Sequence, residues 1–355
     1  MQLKTMKELS SHQARNIQQP ARKPISEICI ISGIKKSAKY SRSKIFPEIC
    51  SMTIPEISIP ITEIPLEKNI KLFIKREDLI HPDISGNKFW KLFYNIHGYQ
   101  QQEPKKPFII TFGGAFSNHI AAVSALGKDQ GIKTLGIIRG DELQHRWQDN
   151  PTLAFAHSNG MAFRFVTRAG YRNKESLTRD LQKEFPNALI IPEGGTNILA
   201  VKGIQHMLNE GTKSFDYLCT AVGTGGTVAG ISKFAEAHQQ VLGFKAVNDP
   251  TLEDEVFKLS ERKNFKLIEA HDGSYGKITD ENVRFINNFL EYYGIQLEPL
   301  YTGKMMRNIF RLIEDGFFPE NAGILAFHTG GLQGILGANR MLEEQNRPLI
   351  KLMKS

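Results

Sequence analysis

From Lys71 onward, short β-branched apolar runs alternate with longer stretches whose apolar positions recur at helical spacing. The runs at 71–76, 108–112, 133–138, 161–166, 188–191, 216–221, 241–247, 266–269 and 323–327 predict strands. The stretches near 87–101, 117–130, 151–159, 174–185, 198–210, 227–238, 279–293, 303–315 and 331–344 predict helices. Near-regular alternation of this kind predicts an α/β architecture on parallel sheets, because parallel neighbours need crossover connections, usually helical. No repeat of fixed period stands out.

Ligands of open α/β sheets collect at the carboxyl ends of the strands, and three strand-to-helix turns there have unusual chemistry. They are Thr111–His119 (with Gly113-Gly114 and Ser117-Asn118-His119), Gly223-Thr224-Gly225-Gly226-Thr227, and His328-Thr329-Gly330-Gly331. The glycine loop follows the apolar Ala221-Val222 and opens a helix, so free N–H groups point at whatever the loop encloses: an anion site. It is no dinucleotide fingerprint, since Val228 stands at the third glycine, and no Walker loop, since no Lys-Ser/Thr follows. Taken alone, it reads equally as a tight turn whose glycines serve positive φ.

Upstream, Ser85-Gly86-Asn87-Lys88 places a lysine at a helix start that Ser85 could cap. The positive potential there favours the free amine needed for imine chemistry, and Lys91 shares its helical face. By themselves these lysines describe a solvated basic face. A lysine able to form a Schiff base, followed by a separate phosphate-holding loop, instead describes a pyridoxal 5'-phosphate site. Ser117 and Asn118 open a helix of small residues (Ala121, Ala122, Ser124, Ala125) that lets the backbone approach a flat ligand. Ser117 suits an N-cap equally well. His119 is not assigned as its base, because adjacent helical residues point in different directions. Tyr275, in Ser274-Tyr275-Gly276, and Tyr301, in Glu298–Lys304, offer aromatic bodies with polar tips that serve packing as readily as catalysis.

With these residues in hand, the chain resembles the D-cysteine desulfhydrase and 1-aminocyclopropane-1-carboxylate deaminase family of fold-type II pyridoxal phosphate enzymes over roughly residues 64–345. Lys75-Arg76-Glu77-Asp78 followed by Ser85–Lys88 is the most specific part, and SNH, GTGGT, YTGK and HTGG recur in the family's order. The resemblance implies a tryptophan synthase beta-like fold of two open, mostly parallel sheets with helices on both faces. It implies a large cofactor-binding domain (51–90 plus 196–355) and a small cap domain (91–195), in a homodimer. Lys88 would carry the cofactor, while Lys91 and Gly223, Thr224, Gly225, Gly226 and Thr227 hold its phosphate. Asn118 would bond the phenolic oxygen and Thr329 face the pyridine nitrogen. Ser117 would touch the substrate carboxylate or move a proton, with Asn118 and His119 beside the substrate and Tyr275 and Tyr301 flanking it.

Family deaminases resemble Tyr-Glu-Gly-Lys and His-Leu-Gly-Gly where this chain has Thr302 and Thr329, as the desulfhydrases do. A carboxylate at the ring nitrogen keeps it protonated and the ring a deep electron sink; a neutral hydroxyl does so less well. The expected reaction is therefore α,β-elimination from D-cysteine to pyruvate, ammonia and hydrogen sulfide. The alternatives are an aminocyclopropane carboxylate deaminase, another fold-type II dehydratase or β-replacement enzyme, and a non-enzymatic protein sensing pyridoxal phosphate or an amino acid. Trp90, where the family usually shows Arg, and the apolar Ile120-Ala121-Ala122 are departures expected to alter the pocket.

At 355 residues the chain exceeds what one core usually supports. Of its net charge of +8, +7 falls in residues 1–50, which leaves a near-neutral body and no basic stripe for nucleic acid. That leader lacks an apolar segment of signal or membrane-spanning length, so no membrane association and a cytoplasmic location are expected. It reads as disordered, or as lying upstream of a true start at Met52; a transit-peptide reading lacks an amphipathic helix. Cys29, Cys50 and Cys219 show neither CxxC pairing nor His at ligand spacing, so no disulfide or zinc site is expected.

Overall fold

A computed structural model describes residues 57–274 and 276–353; the basic leader and Tyr275 lie outside the described residues. Among the described residues, ten strands form two sheets. The first holds β1 (Ile61–Ile64), β2 (Lys71–Lys75), β7 (Tyr217–Val222), β8 (Gln240–Lys245), β9 (Phe265–Glu269) and β10 (Gly323–Phe327), in the order β1-β2-β10-β7-β8-β9. Its strands run parallel except β1, which pairs antiparallel with β2. The second holds β3 (Phe108–Gly113), β4 (Lys133–Arg139), β5 (Ala162–Val166) and β6 (Leu189–Ile191), all parallel, in the order β5-β4-β3-β6.

The helices follow as α1 (Asn87–Gln100), α2 (Asn118–Gln130), α3 (Pro151–Ser158), α4 (Arg168–Arg172), α5 (Lys174–Glu184), α6 (Ile198–Ile204) and α7 (Gly226–Phe234). They continue as α8 (Leu252–Ser260), α9 (Asp280–Tyr293), α10 (Thr302–Glu314) and α11 (Gly334–Glu344). Parallel strands covered on both faces must be apolar throughout, and Ile324–Phe327 of β10 are fully buried for that reason. One apolar core joins Phe89, Trp90 and Phe93 of α1 to Ile109 of β3, Leu218 of β7 and Leu325 of β10, so α1 is packed against both sheets. A second core, including Ile286, Met306 and Ile324, fills the other face of the larger sheet.

The structure adds three elements to the predicted order: β1, α8 and the short α4, whose five residues are too few to show a helical period. β1 is a four-residue edge strand between Pro60 and Pro65, where proline is tolerated because one side of the strand needs no donors. α8, with Leu252 and Val256 inward and three acids in its first turn, makes the crossover from β8 to β9. The stretches predicted helical to 210 and 238 stop at Ile204 and Phe234. After Phe234, the Gln239 side chain accepts from Glu236 N–H and donates to the carbonyls of Thr212 and Phe215, drawing the chain out of the helix. No helix among the described residues is long and apolar enough to cross a membrane.

Candidate active site

Four loops meet where α1, α2 and α7 begin. Gly86 precedes α1 with φ 61°, and a Cβ there would lie 2.0 Å from the carbonyl oxygen of Thr329, so only glycine fits. A Cβ on Gly330 would reach within 2.2 Å of Ser85 Oγ, and one on Gly331 within 2.3 Å of Asn118 Nδ2. The Ser85-Gly86 turn, the Thr329–Gly331 turn and the start of α2 thus interlock at closest approach. Ser85 does not cap α1: the positive φ of Gly86 turns the chain, and Ser85 packs on Gly330. Ser117 does cap α2, its Oγ accepting from Ile120 N–H at 3.3 Å.

Asn87 Nδ2 donates to Thr227 Oγ1 at 2.6 Å, fastening the lysine helix to the glycine-loop helix. Lys88 Nζ donates to Asn87 Oδ1 at 3.3 Å. The surrounding protein desolvates this amine and lowers its pKa from 10.5 to about 8, while part of the side chain stays open to the cavity. Lys91 Nζ donates to Gly194 O at 2.5 Å and Thr196 Oγ1 at 2.9 Å, and stands 3.0 Å from where a Gly226 Cβ would be. Burial, aided by the charge of Lys88, pushes its pKa well below the ordinary lysine value. Neither amine has a carboxylate partner among the described residues.

His119 is buried, and Nε2 lies 2.8 Å from Thr111 Oγ1, whose own proton goes to Ile191 O at 2.9 Å. The proton between them must therefore come from Nε2, leaving Nδ1 a bare acceptor with no protein partner. Burial and the two lysines hold the ring neutral. Asn118 Oδ1 accepts from Gln333 Nε2 at 2.9 Å. The Tyr301 ring covers Gly223, its hydroxyl 3.4 Å from where a Cβ would project. Asn87, Lys88, Lys91, Asn118, His119, Gly223 and Tyr301, with Thr329, line one cavity of about 910 Å³ at the carboxyl ends of both sheets' strands.

The cavity therefore gathers Lys88, Lys91, Ser117, Asn118, His119, Tyr301, Thr329 and Gly223–Thr227, while Tyr275 is outside the described residues. Thr302 does not line it; buried, it accepts from Glu298 N–H at 3.1 Å and donates to Glu298 Oε1. Trp90 is 3% exposed and faces away from the cavity, donating to Glu77 Oε2 at 3.1 Å, while Glu77 Oε1 pairs with buried Lys75 at 2.9 Å. Ile120, Ala121 and Ala122 are core. The expectation that Trp90 and Ile120–Ala122 shape the pocket is thus corrected: their side chains fill space between helices and sheets. Sequence reading missed Gly194 and Thr196, whose Gly-Gly-Thr run was the available signal. It also missed Glu298, whose buried carboxylate accepts the N–H groups of Leu300, Tyr301 and Thr302 and so fixes Tyr301. Burial raises the Glu298 pKa against the pull of those bonds.

These residues suit a phosphorylated carbonyl compound. Lys88 supplies an amine close to its free form, and Lys91, Thr224 and the N-terminus of α7 supply donors for a phosphate where glycine leaves room for it.

Comparison with known proteins points the same way. A family model described as pyridoxal-phosphate dependent enzyme matches residues 55–330. A mitochondrial bifunctional D-cysteine desulfhydrase/1-aminocyclopropane-1-carboxylate deaminase of Arabidopsis thaliana is 28% identical, covering 76% of this chain and 74% of that protein. A D-cysteine desulfhydrase of Yersinia pestis is 22% identical, covering 78% and 94% respectively. The crystal structure of an ACC deaminase homologue aligns with a TM-score of 0.69 at 27% identity, covering 81% of this chain and 94% of that one.

Proposed function

The chain belongs to the pyridoxal-phosphate dependent enzyme family, and on that premise we propose that it is a lyase or deaminase of a small amino acid, with D-cysteine desulfhydrase-like α,β-elimination the favoured activity. The observation that carries this is Lys88, a desolvated amine without an ion pair among the described residues, held by Asn87 against the glycine loop. Bound pyridoxal phosphate would supply the aldehyde and the electron sink.

Lys88 Nζ, with a pKa near 8, is able to take a proton from a substrate carbon and return it near neutral pH. Lys91 Nζ, the Thr224 hydroxyl and the first N–H groups of α7 would hold the phosphate. Asn118, oriented by Gln333, would bond the ring oxygen of the cofactor, and Ser117 with the start of α2 would receive the substrate carboxylate. Tyr301, fixed over Gly223 by Glu298, closes one side of the substrate. Thr329, which the family resemblance sets toward the ring nitrogen, would offer a neutral hydroxyl and a shallower electron sink than a carboxylate partner gives, which suits expulsion of thiolate over opening of a cyclopropane. The balance is D-cysteine plus water giving pyruvate, ammonia and hydrogen sulfide.

A second reading, aminocyclopropane carboxylate deamination, draws on the two activities named for the Arabidopsis relative. Incubating the holoenzyme with D- and L-cysteine, D- and L-serine, threonine and 1-aminocyclopropane-1-carboxylate, while measuring sulfide, ammonia and 2-oxo acid, separates the readings. Sulfide with stoichiometric pyruvate from D-cysteine supports the first, 2-oxobutyrate from the cyclopropane the second, and no product from any substrate contradicts both. The segment 91–195 is proposed as the cap, and the chain as a homodimer; Ile198, 78% exposed at the start of α6, is the kind of apolar surface a second copy would cover.

A further inference from the structure

The cavity wall formed by the second sheet carries more positive charge than the proposed cofactor and a simple amino acid would use. Arg139 ends β4 and Arg172 ends α4, and both line the cavity. Arg139 is half-buried, stacked over the Tyr171 ring at 5.7 Å. Its guanidinium lies 3.5 Å from where a Gly114 Cβ would be, beside the turn that presents Ser117 and Asn118. Among the described residues neither arginine has a carboxylate partner. Arg76, Arg164, Arg307 and Arg347, half-buried like Arg139, each hold one, whereas Arg172 is exposed.

Of the lining carboxylates, Glu193 pairs with Lys174 at 2.5 Å and Glu255 with Lys258 at 2.9 Å, while Asp249 accepts the N–H and hydroxyl of Thr251 through Oδ1 and pairs with no cation among the described residues, Arg139 and Arg172 included. A cofactor phosphate is served by Lys91 and the glycine loop, and an α-carboxylate by Ser117 and the start of α2. Arg139 and Arg172 then remain as two forked cations without an anion, in a cavity where such donors discriminate strongly between ligands.

We propose that Arg139 and Arg172 bind a second anionic group, so that the preferred substrate is an amino acid whose side chain ends in a carboxylate, sulfonate or phosphate. This rests on the reading above and narrows its substrate class.

The test compares cysteate with cysteine, O-phosphoserine with serine, and aspartate with alanine, each as D and L forms, on the holoenzyme and on Arg139→Gln and Arg172→Gln. Beside turnover, calorimetry measures binding of succinate and malonate against propionate and acetate. We expect at least about tenfold tighter binding of the dianions, reduced about 10- to 100-fold in either variant mainly through KM and Kd, with neutral amino acids changed by less than about threefold. Carboxylate, sulfonate and phosphate arms identify which anion is read. Equal binding of mono- and dicarboxylates to the wild type, or equal losses on neutral and anionic ligands in the variants, would overturn the proposal. The visible absorbance of bound cofactor is followed in parallel. Its absence sinks the enzyme reading, while the carboxylate comparison still decides whether the arginines select a second anion.

Discussion

Asn87 and Thr227 are 140 positions apart in sequence, yet the amide of one donates to the hydroxyl of the other across 2.6 Å inside the protein. The same Asn87 side chain accepts from Lys88. One amide therefore sets the reactive amine and the phosphate loop relative to each other. Asn87→Ala should cost about 1–2 kcal/mol, because the buried Thr227 hydroxyl loses its donor, and should loosen the cofactor. Denaturant melts and cofactor loss on dialysis measure both; unchanged retention would show that Asn87 does not position the site.

Gly86 and Gly131 have nearly the same φ, 61° and 64°, but opposite surroundings. A Cβ on Gly131 meets nothing within 4 Å, whereas one on Gly86 strikes Thr329. Gly131→Ala should therefore cost only about 1–2 kcal/mol, the left-handed backbone penalty. Gly86→Ala adds a steric clash, should exceed about 4 kcal/mol, and should abolish turnover by displacing the Thr329 turn. Similar melting temperatures for the two variants would refute the interlock.

Trp90 holds Glu77, so Trp90→Phe leaves a buried carboxylate oxygen short of its donor at a cost of about 1–3 kcal/mol. Because Trp90 is outside the cavity, the substrate ranking should not change. A variant of normal stability but altered ranking would contradict this placement.

Lys88 has a folded-state pKa near 8, below its ordinary 10.5. Between those values the unfolded chain holds more protons, so the apoprotein gains stability from this group as pH rises from about 8 to 10.5. Lys88→Met removes the penalty of a buried ammonium. Its melting temperature should exceed that of wild-type apoprotein below pH 8, with the gap closing toward pH 10.5. A gap that widens with pH would mean the amine is stabilised as the cation.

Fully buried parallel strands announce themselves as apolar runs, and β10 occupies the predicted 323–327. β1 escaped because four residues between prolines carry too little pattern, and α8 because its acidic first turn masks a short apolar stripe. In the site, the order of Lys88, Ser117-Asn118-His119 and the glycine loop was legible as chemistry, since imine formation and phosphate binding demand particular residue types. Contacts that hold them were not. Lys91 reaches Gly194 across 103 positions and Asn118 meets Gln333 across 215, and neither pairing leaves a local trace. The same holds for Trp90, whose indole proved to serve Glu77 and not the pocket.

The account depends on which amine bears the cofactor. Purified protein reduced with borohydride, digested and mapped by mass spectrometry should carry a single pyridoxyl phosphate group, on Lys88, and Lys88→Ala should retain none covalently and lose turnover. Labelling of Lys91 or any other lysine in its place, or full turnover in Lys88→Ala, would contradict it.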